Sequence, residues 1–218
     1  MKLREAVLDL LFPPKCPFCQ RILEEPRAPV CPECRDKLPW LRGGASLRAV
    51  EGMEGCLSPL AYRGEVPQAV HRYKFPGNPS YGGSFGCLAA RCVRDQLSVP
   101  ADLVTWVPLS QRRKRKRGFD QAERMARAMA RELGLPVRKL LEKGEDNGPQ
   151  SHLEDDAARR ANVQGVYRLT GEDLSGRCIL LVDDVVTTGS TLGECARMLR
   201  AAGAEQVWGV TLAQARKN

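Results

Sequence analysis

The chain has little that would mark a membrane or exported protein. None of its 218 residues fall in an apolar run approaching the roughly 20 that a membrane helix needs. The opening stretch MKLREAVLDLLFPPK breaks its apolar positions with Glu5 and Asp9 and has no small-residue cleavage site, which argues against a signal peptide. Leu3, Val7, Leu10 and Leu11 instead share one helical face, and Pro13–Pro14 stops that predicted helix. Histidine is scarce: His71 and His152 stand alone, and a lone histidine is more often structural or surface than catalytic, although His152 lies where it could touch a substrate. No G-x-x-x-x-G-K-[ST] occurs, so the apolar strand ending at Asp183–Asp184, although similar to a Walker B strand, lacks the phosphate loop that nucleotide triphosphate hydrolysis needs. Gly82–Gly86 matches the hydrolase pattern G-x-S-x-G, but a loop over Pro76–Tyr81 precedes it where that motif needs a strand. There is no internal repeat.

What is present is a balanced globular composition, 43% hydrophobic and 28% charged, with a formal net charge of +8. At this length one ordinary domain with a small appendage is expected.

The nine cysteines are not spread as a disulfide framework. Four form two C-x-x-C pairs, Cys16–Cys19 and Cys31–Cys34, separated by a short segment, and this spacing suits one tetrahedral Zn²⁺. Each C-x-x-C turn aims two thiolates at one ion, and four sulfurs leave no open position, so the expected site is structural. The rival, a pair of thioredoxin-like redox motifs, would need a motif that comes singly and opens a helix after a strand. Cys56, Cys87, Cys92, Cys178 and Cys195 read as buried small apolar residues.

Residues 1–50, proline-rich and weakly periodic, are expected as an N-terminal helix and metal-held finger, with Gly43–Gly44 as a linker start. Residues 51–218 alternate in pattern. Strands are expected over 57–62, 103–107, 137–141, 166–169, 178–182 and 206–212, and helices over 66–73, 84–97, 121–133 and 191–202. The polar stretch 143–162 is expected as a long loop or flap. Alternating strands and helices imply an α/β fold with a mostly parallel sheet.

The chemistry gathers after the clearest strand, Cys178–Val182, in Asp183-Asp184-Val185-Val186-Thr187-Thr188-Gly189-Ser190-Thr191. Ligands of open α/β sheets bind at the carboxyl ends of strands. Two carboxylates there can accept hydrogen bonds from vicinal sugar hydroxyls or face Mg²⁺. Hydroxyls and backbone N–H groups at a helix start, with Gly189 for the tight turn, suit a phosphate. Together they describe a ribose 5-phosphate site, against the plainer alternative of an acidic strand end and an ordinary Ser/Thr helix cap.

The stretch ILLVDDVVTTGST, residues 179–191, closely resembles the phosphoribosyl pyrophosphate (PRPP) motif of type I phosphoribosyltransferases. With the double C-x-x-C finger, Tyr73-Lys74-Phe75, Val107–Ser110, Arg117–Gln121, and Gln150, Leu153, Arg160 and Asn162 in that order, the chain resembles the competence protein F (ComF) family. Asp120 departs from it, since similar proteins usually carry Asn there, and His152 stands where a small residue is usual. The resemblance implies a parallel sheet of phosphoribosyltransferase type I with a small N-terminal four-cysteine zinc finger, and a flap at 143–162. It casts Asp183 and Asp184 as the catalytic pair on the ribose hydroxyls. Thr187, Thr188, Gly189, Ser190 and Thr191 would take the 5-phosphate. Ser110 and Arg117 would lie by the pyrophosphate. From the residues alone, Lys74 could reach a phosphate, with a solvated side chain as the equal alternative. The resemblance also implies PRPP with Mg²⁺ as ligand, competence proteins as partners, a cytoplasmic location and a part in natural transformation. An active phosphoribosyltransferase of nucleotide salvage and a PRPP-sensing interaction protein are the alternatives, and whether the chain is an enzyme stays open.

Arg112-Arg113-Lys114-Arg115-Lys116-Arg117 is a run of cations, and residues 111–131 hold most of the net charge. Such a patch attracts phosphates, of single-stranded DNA or of PRPP, unless it is simply a solvated loop. Phe119 is the one nearby aromatic expected to be free to stack on bases, and Trp106 is expected in the core.

Overall fold

The computed structural model describes residues 13–75, 78–144 and 166–215; the helix expected near the N-terminus and most of the expected flap, His152 included, lie outside them. In chain order the elements are α1 (Pro32–Lys37), a 3₁₀ turn (Gly43–Ser46), β1 (Leu47–Arg48), β2 (Gly55–Leu57), β3 (Leu60–Ala61), α2 (Val66–Lys74), α3 (Tyr81–Gln96), β4 (Leu103–Trp106), α4 (Gln111–Arg117), α5 (Gln121–Leu133), β5 (Leu141–Lys143), β6 (Tyr167–Leu169), β7 (Cys178–Val182), β8 (Val185–Val186), α6 (Ser190–Ala201), β9 (Gln206–Val210) and β10 (Ala213–Gln214).

The main sheet has five strands in the order β1-β2-β9-β7-β4. Four run parallel, and β1 adds an antiparallel edge, so the sheet is mixed rather than wholly parallel. β7 is buried along its whole length, as a central strand covered on both faces must be. Its side chains alternate between two cores. Leu180 and Val182 join Tyr73, Phe85, Met125 and Met129. Ile179 and Leu181 join Leu140, Leu141, and Leu192, Cys195 and Leu199 of α6. The first core also takes in Phe18, Leu23, Cys31 and Leu38, so the cysteine region is packed onto the α/β body.

α3 and α5 approach closely on that first face. A Cβ on Gly86 would lie 2.6 Å from both Met125 O and Ala128 Cβ, so only glycine permits this contact. Gly82–Gly86 therefore sits inside a helix, and the nucleophile-elbow pattern serves packing. α5 is capped at one end by Asp120 and at the other by Gly134 in the left-handed region.

Three strand expectations are corrected. Val137 makes only a single bridge to Val104, and regular pairing starts at Leu141, where β5 meets β6 antiparallel. Exposed Arg138 and Lys139 in succession break the period of two that a half-buried strand needs. The stretches 57–62 and 206–212 are each interrupted. β2, β9 and β7 all stop for two residues and resume as β3, β10 and β8, which form a second parallel sheet in the corresponding order. The break carries Ser58, Thr211 and Asp183 just after the mutually paired residues Leu57, Val210 and Val182.

Candidate functional site

Asp183 and Asp184 fill the break in the central strand at the carboxyl edge of the sheet. The backbone stays held there: Asp183 N donates to Val210 O at 3.0 Å, and Leu212 N donates to Asp184 O at 3.0 Å. The two acids differ in surroundings. Asp183 Oδ1 accepts from Asp184 N at 2.8 Å. Burial of its carboxyl, and then the charge of Asp184, push its pKa up to about 8. Asp184 instead holds the Lys74 ammonium with both oxygens, at 2.9 Å to Oδ1 and 2.8 Å to Oδ2. Lys74 thus does not point to solvent; it neutralises the outer acid. The sequence carried no signal for this pairing, because it joins the end of α2 to a strand 110 residues later.

The turn beyond the acids is open. Thr187, Thr188 and Ser190 are exposed, and Gly189 takes φ +86° to turn the chain into α6. A Cβ there would meet both methyls of Val50 at 3.0 Å. Thr188 Oγ1 and Ser190 Oγ lie 2.9 Å apart, and Ser190 N donates to Thr188 Oγ1 at 3.3 Å. Hydroxyls and the N-terminus of a twelve-residue helix therefore face solvent beside the acid pair.

The neighbouring strand β4 ends level with β7, Trp106 opposite Val182, so the segment after β4 lies along the same edge. Ser110 is fully buried and caps α4, its Oγ accepting from Arg113 N at 3.4 Å. The basic run is this helix, not a loop: Ser110 starts it, and Gly118, at φ +79°, ends it. Arg112, Arg113, Lys114, Arg115 and Lys116 are exposed. Among the described residues, Lys114 pairs with Glu123 at 3.4 Å, while Arg112, Arg113, Arg115 and Lys116 have no ion-pair partner. Arg117 turns inward, donating to Gln121 Oε1 at 2.9 Å with its guanidinium 4.7 Å from the centre of the Phe75 ring. Phe119, expected as a stacking residue, is buried against Tyr73 at 5.5 Å. Phe75, 39% exposed, is instead the aromatic on the surface here.

Asp120 has a defined task. Its Oδ1 accepts from Glu123 N at 3.2 Å and its Oδ2 from Leu109 N at 2.9 Å, so one carboxylate caps α5 and ties down the loop before α4.

The four sulfurs of Cys16, Cys19, Cys31 and Cys34 lie within 4.8 Å of one another. Sulfurs at the corners of a tetrahedral Zn²⁺ site are about 3.8 Å apart, so the set fits that ion. The first pair sits in a tight turn, with Gln20 at φ +68° and Gln20 N donating to Cys16 O at 2.9 Å. The second opens α1, where Cys31 Sγ accepts from Cys34 N at 3.5 Å and Pro32 takes the first helical position. The other five cysteines are unbridged, and all but Cys87 are buried. A groove of about 610 Å³ lies beside this centre, between Cys19, Leu38 and Arg63, but Glu33 there is paired with Arg21 and Lys37.

A central parallel strand ending in two acids and a hydroxyl-rich turn, joined to a four-cysteine knuckle, defines a type I phosphoribosyltransferase-like protein with a zinc ribbon. Residues 119–218 match the phosphoribosyl transferase domain model, and residues 7–46 match the double zinc ribbon domain model. The DNA utilization protein YhgH of Salmonella typhi is 30% identical over 202 residues, covering 88% of each chain. Competence protein F of Haemophilus influenzae is 28% identical over 210 residues, covering 91% of this chain and 90% of that protein. Among solved structures, the glutamine PRPP amidotransferase from B. subtilis aligns with 26% identity over 60% of this chain and 26% of that one, at a TM-score of 0.43. The chain belongs to the competence protein F (ComF) family.

Proposed function

We propose that this protein binds PRPP with Mg²⁺ on the acid turn and holds single-stranded DNA along the basic helix of the same edge, in the service of competence or DNA utilization. The observation that carries the proposal is the acid pair set in the strand break directly beside an exposed hydroxyl turn at the start of α6. Asp183 and Asp184 take the ribose hydroxyls, and Thr187 to Thr191 take the 5-phosphate. Arg117, turned toward the interior of that edge, lies toward the pyrophosphate. The relatives named for competence and for DNA utilization support the DNA half of the proposal.

The donor set suits a divalent cation. Asp184 already holds an ammonium with both oxygens, which stands where a hard cation would sit. Asp183 and Asp184 are the residues that would hold Mg²⁺, which would supply charge neutralisation for the pyrophosphate. With that site filled, Lys74 would be available to face a phosphate oxygen instead of Asp184. Unbridged cysteines suit a reducing compartment, in keeping with a cytoplasmic site of action. No helix of the described residues is long and apolar enough to cross a membrane.

Calorimetric titration with PRPP and Mg²⁺ tests the proposal. Wild type binds, and the double variant Asp183→Asn with Asp184→Asn loses on the order of a hundredfold in affinity, the equivalent of about 2.8 kcal/mol. Equal binding by both proteins would remove the acid turn as the site. Release of pyrophosphate with any member of a panel of bases would show transfer as well as binding.

A further inference from the structure

Four consecutive residues, 72 to 75, at the end of α2 each grip a different part of the molecule. Arg72 Nη2 donates to Pro17 O at 3.0 Å and to Phe18 O at 2.6 Å, the two carbonyls between the cysteines of the first pair. Tyr73, fully buried, donates through its hydroxyl to Gln121 O at 2.9 Å, at the first residue of α5. Lys74 holds Asp184 at 2.8 Å. Phe75 lies under the Arg117 guanidinium. The last turn is itself closed by Phe75 N donating to His71 O at 2.7 Å.

A helix rises about 1.5 Å per residue, so a slip of α2 by a single residue would lengthen the Lys74–Asp184 contact past hydrogen-bond range. The Tyr73 ring, edge-on to Phe85 at 5.2 Å, supplies the lateral anchor. Arg72 supplies the axial one, and it does so on the knuckle rather than on the α/β body. Its Nε is buried without a hydrogen-bond partner among the described residues. A buried donor left unmade is costly, and here it is tolerated while Nη2 keeps the two knuckle carbonyls.

We propose that the end of α2 is a strap through which the four-cysteine knuckle positions Lys74 on Asp184, with Arg72 as the positioning residue. Metal loading of the knuckle and release of the outer acid are then linked, and linkage is reciprocal. The consequence for ligand binding rests on the function proposed above: a ligand that displaces Lys74 from Asp184 acts on the same helix that the knuckle holds.

The test reads Lys74 directly. The zinc-loaded full chain is labelled with acetic anhydride, and labelling of Lys74 is followed by peptide mass spectrometry with Lys139 as the internal reference. In Arg72→Met, Lys74 labels about fivefold faster relative to Lys139, as expected when a partly buried ion pair is loosened. Removal of zinc from wild type by a chelator has the same effect, and Arg72→Lys, which retains one cationic donor, restores most of the protection. An unchanged Lys74 rate in an Arg72→Met protein that still carries one zinc per chain overturns the proposal. So does an equal acceleration of Lys74 and Lys139. If Arg72→Met does not fold, the reverse direction decides: Lys74→Met must speed transfer of zinc to a chromogenic chelator, and an unchanged transfer rate overturns the strap. PRPP is absent from every arm, so failure of PRPP to bind would sink the proposed function and leave this result to be judged alone.

Discussion

The acid turn and the basic helix lie on one edge of one sheet, after two strands that pair with each other, yet they are built in opposite ways. The acid turn is fastened atom by atom. Its backbone bonds to β9 and to the segment after it, Asp183 leans on the next amide, and Asp184 is matched by one ammonium. The basic helix fully buries none of its residues and is held at its two ends, by the Ser110 cap and the Gly118 stop, with Arg117 bonded to Gln121 and, among the described residues, one ion pair to α5. A helix this short does not stand on its own propensity, so its caps and its neighbours decide that it forms. The difference teaches what each can do. A fastened pair of acids selects a ligand by geometry. A row of solvated cations attracts any polyphosphate by charge, and its members act nearly additively.

The sharpest way to break this comparison is to strip the charge from the helix and leave the turn intact. Replacing Arg113, Lys114, Arg115 and Lys116 by Ala, with Arg117 retained, is expected to flatten the salt dependence of single-stranded DNA binding by about 3 log units per log unit of salt. Affinity at 0.1 M salt falls on the order of a hundredfold, since each phosphate contact on a single strand contributes a slope of about 0.7. PRPP binding should stay as in wild type. Fluorescence anisotropy of a labelled oligonucleotide across a salt series measures the first, and calorimetry the second. An unchanged slope would reduce the helix to a solvated face; parallel loss of both ligands would mean that the two regions are one site.

A smaller effect separates the inner acid from the outer one. The pKa of Asp183 is raised to about 8 from an ordinary carboxylate value of 3.8, so near neutral pH the carboxyl is mostly protonated in the free protein. A ligand that needs the ionised form must expel that proton. Affinity for PRPP with Mg²⁺ therefore rises with pH up to about 8, by at most about tenfold per unit, and levels off above it. Between pH 7 and 9 the phosphate groups, with second ionisations near 6, contribute little to that slope. Calorimetry at pH 7 in buffers of different ionisation enthalpy should register release of nearly one proton, absent in Asp183→Asn. A flat affinity profile with no proton release would show that the inner acid is not used in its charged form.

These contrasts also mark what was legible in the sequence. The acid turn was legible because it is local: an apolar strand, two acids, hydroxyls and Gly189 follow one another without interruption. The four-cysteine cluster was legible for the same reason. The counter-ion of Asp184 was not, because Lys74 arrives from α2, and no periodicity links a lysine to an acid across the fold. The basic run was legible as charge but not as a helix. Its side chains show no apolar face, and the caps that end it, Ser110 and Gly118, are residues equally at home in a loop. The doubled sheet escaped notice because polar residues at the break, Ser58 and Thr211, are buried and bonded to each other at 2.7 Å, where the pattern alone suggested strands running straight through.

Asp120 ties the loop before the basic helix to α5 and gives the smallest effect. It accepts from one amide of the loop before the basic helix and from one amide of α5, so an Asn, with a single acceptor oxygen, must leave one of them facing an amide N–H₂. Loss of such a cap costs about 1 kcal/mol. Against this, burial raises the Asp120 pKa, so ionising it in the folded protein is unfavourable. The unfolded chain loses this proton at lower pH than the folded chain does. Stability contributed by Asp120 is therefore greatest below the ordinary carboxylate range and declines as pH climbs through and above it. Asp120→Asn removes both the second acceptor and the buried charge. Its thermal midpoint at pH 7 should lie within a few degrees of wild type, on the order of 1 kcal/mol, and the gap between the two proteins should shift in favour of the variant from pH 4.5 to pH 7. A shift in favour of wild type over that range would show that the two amides and Lys114 outweigh burial, and that the charged carboxylate, rather than its shape, is what ties the loop before the basic helix to α5.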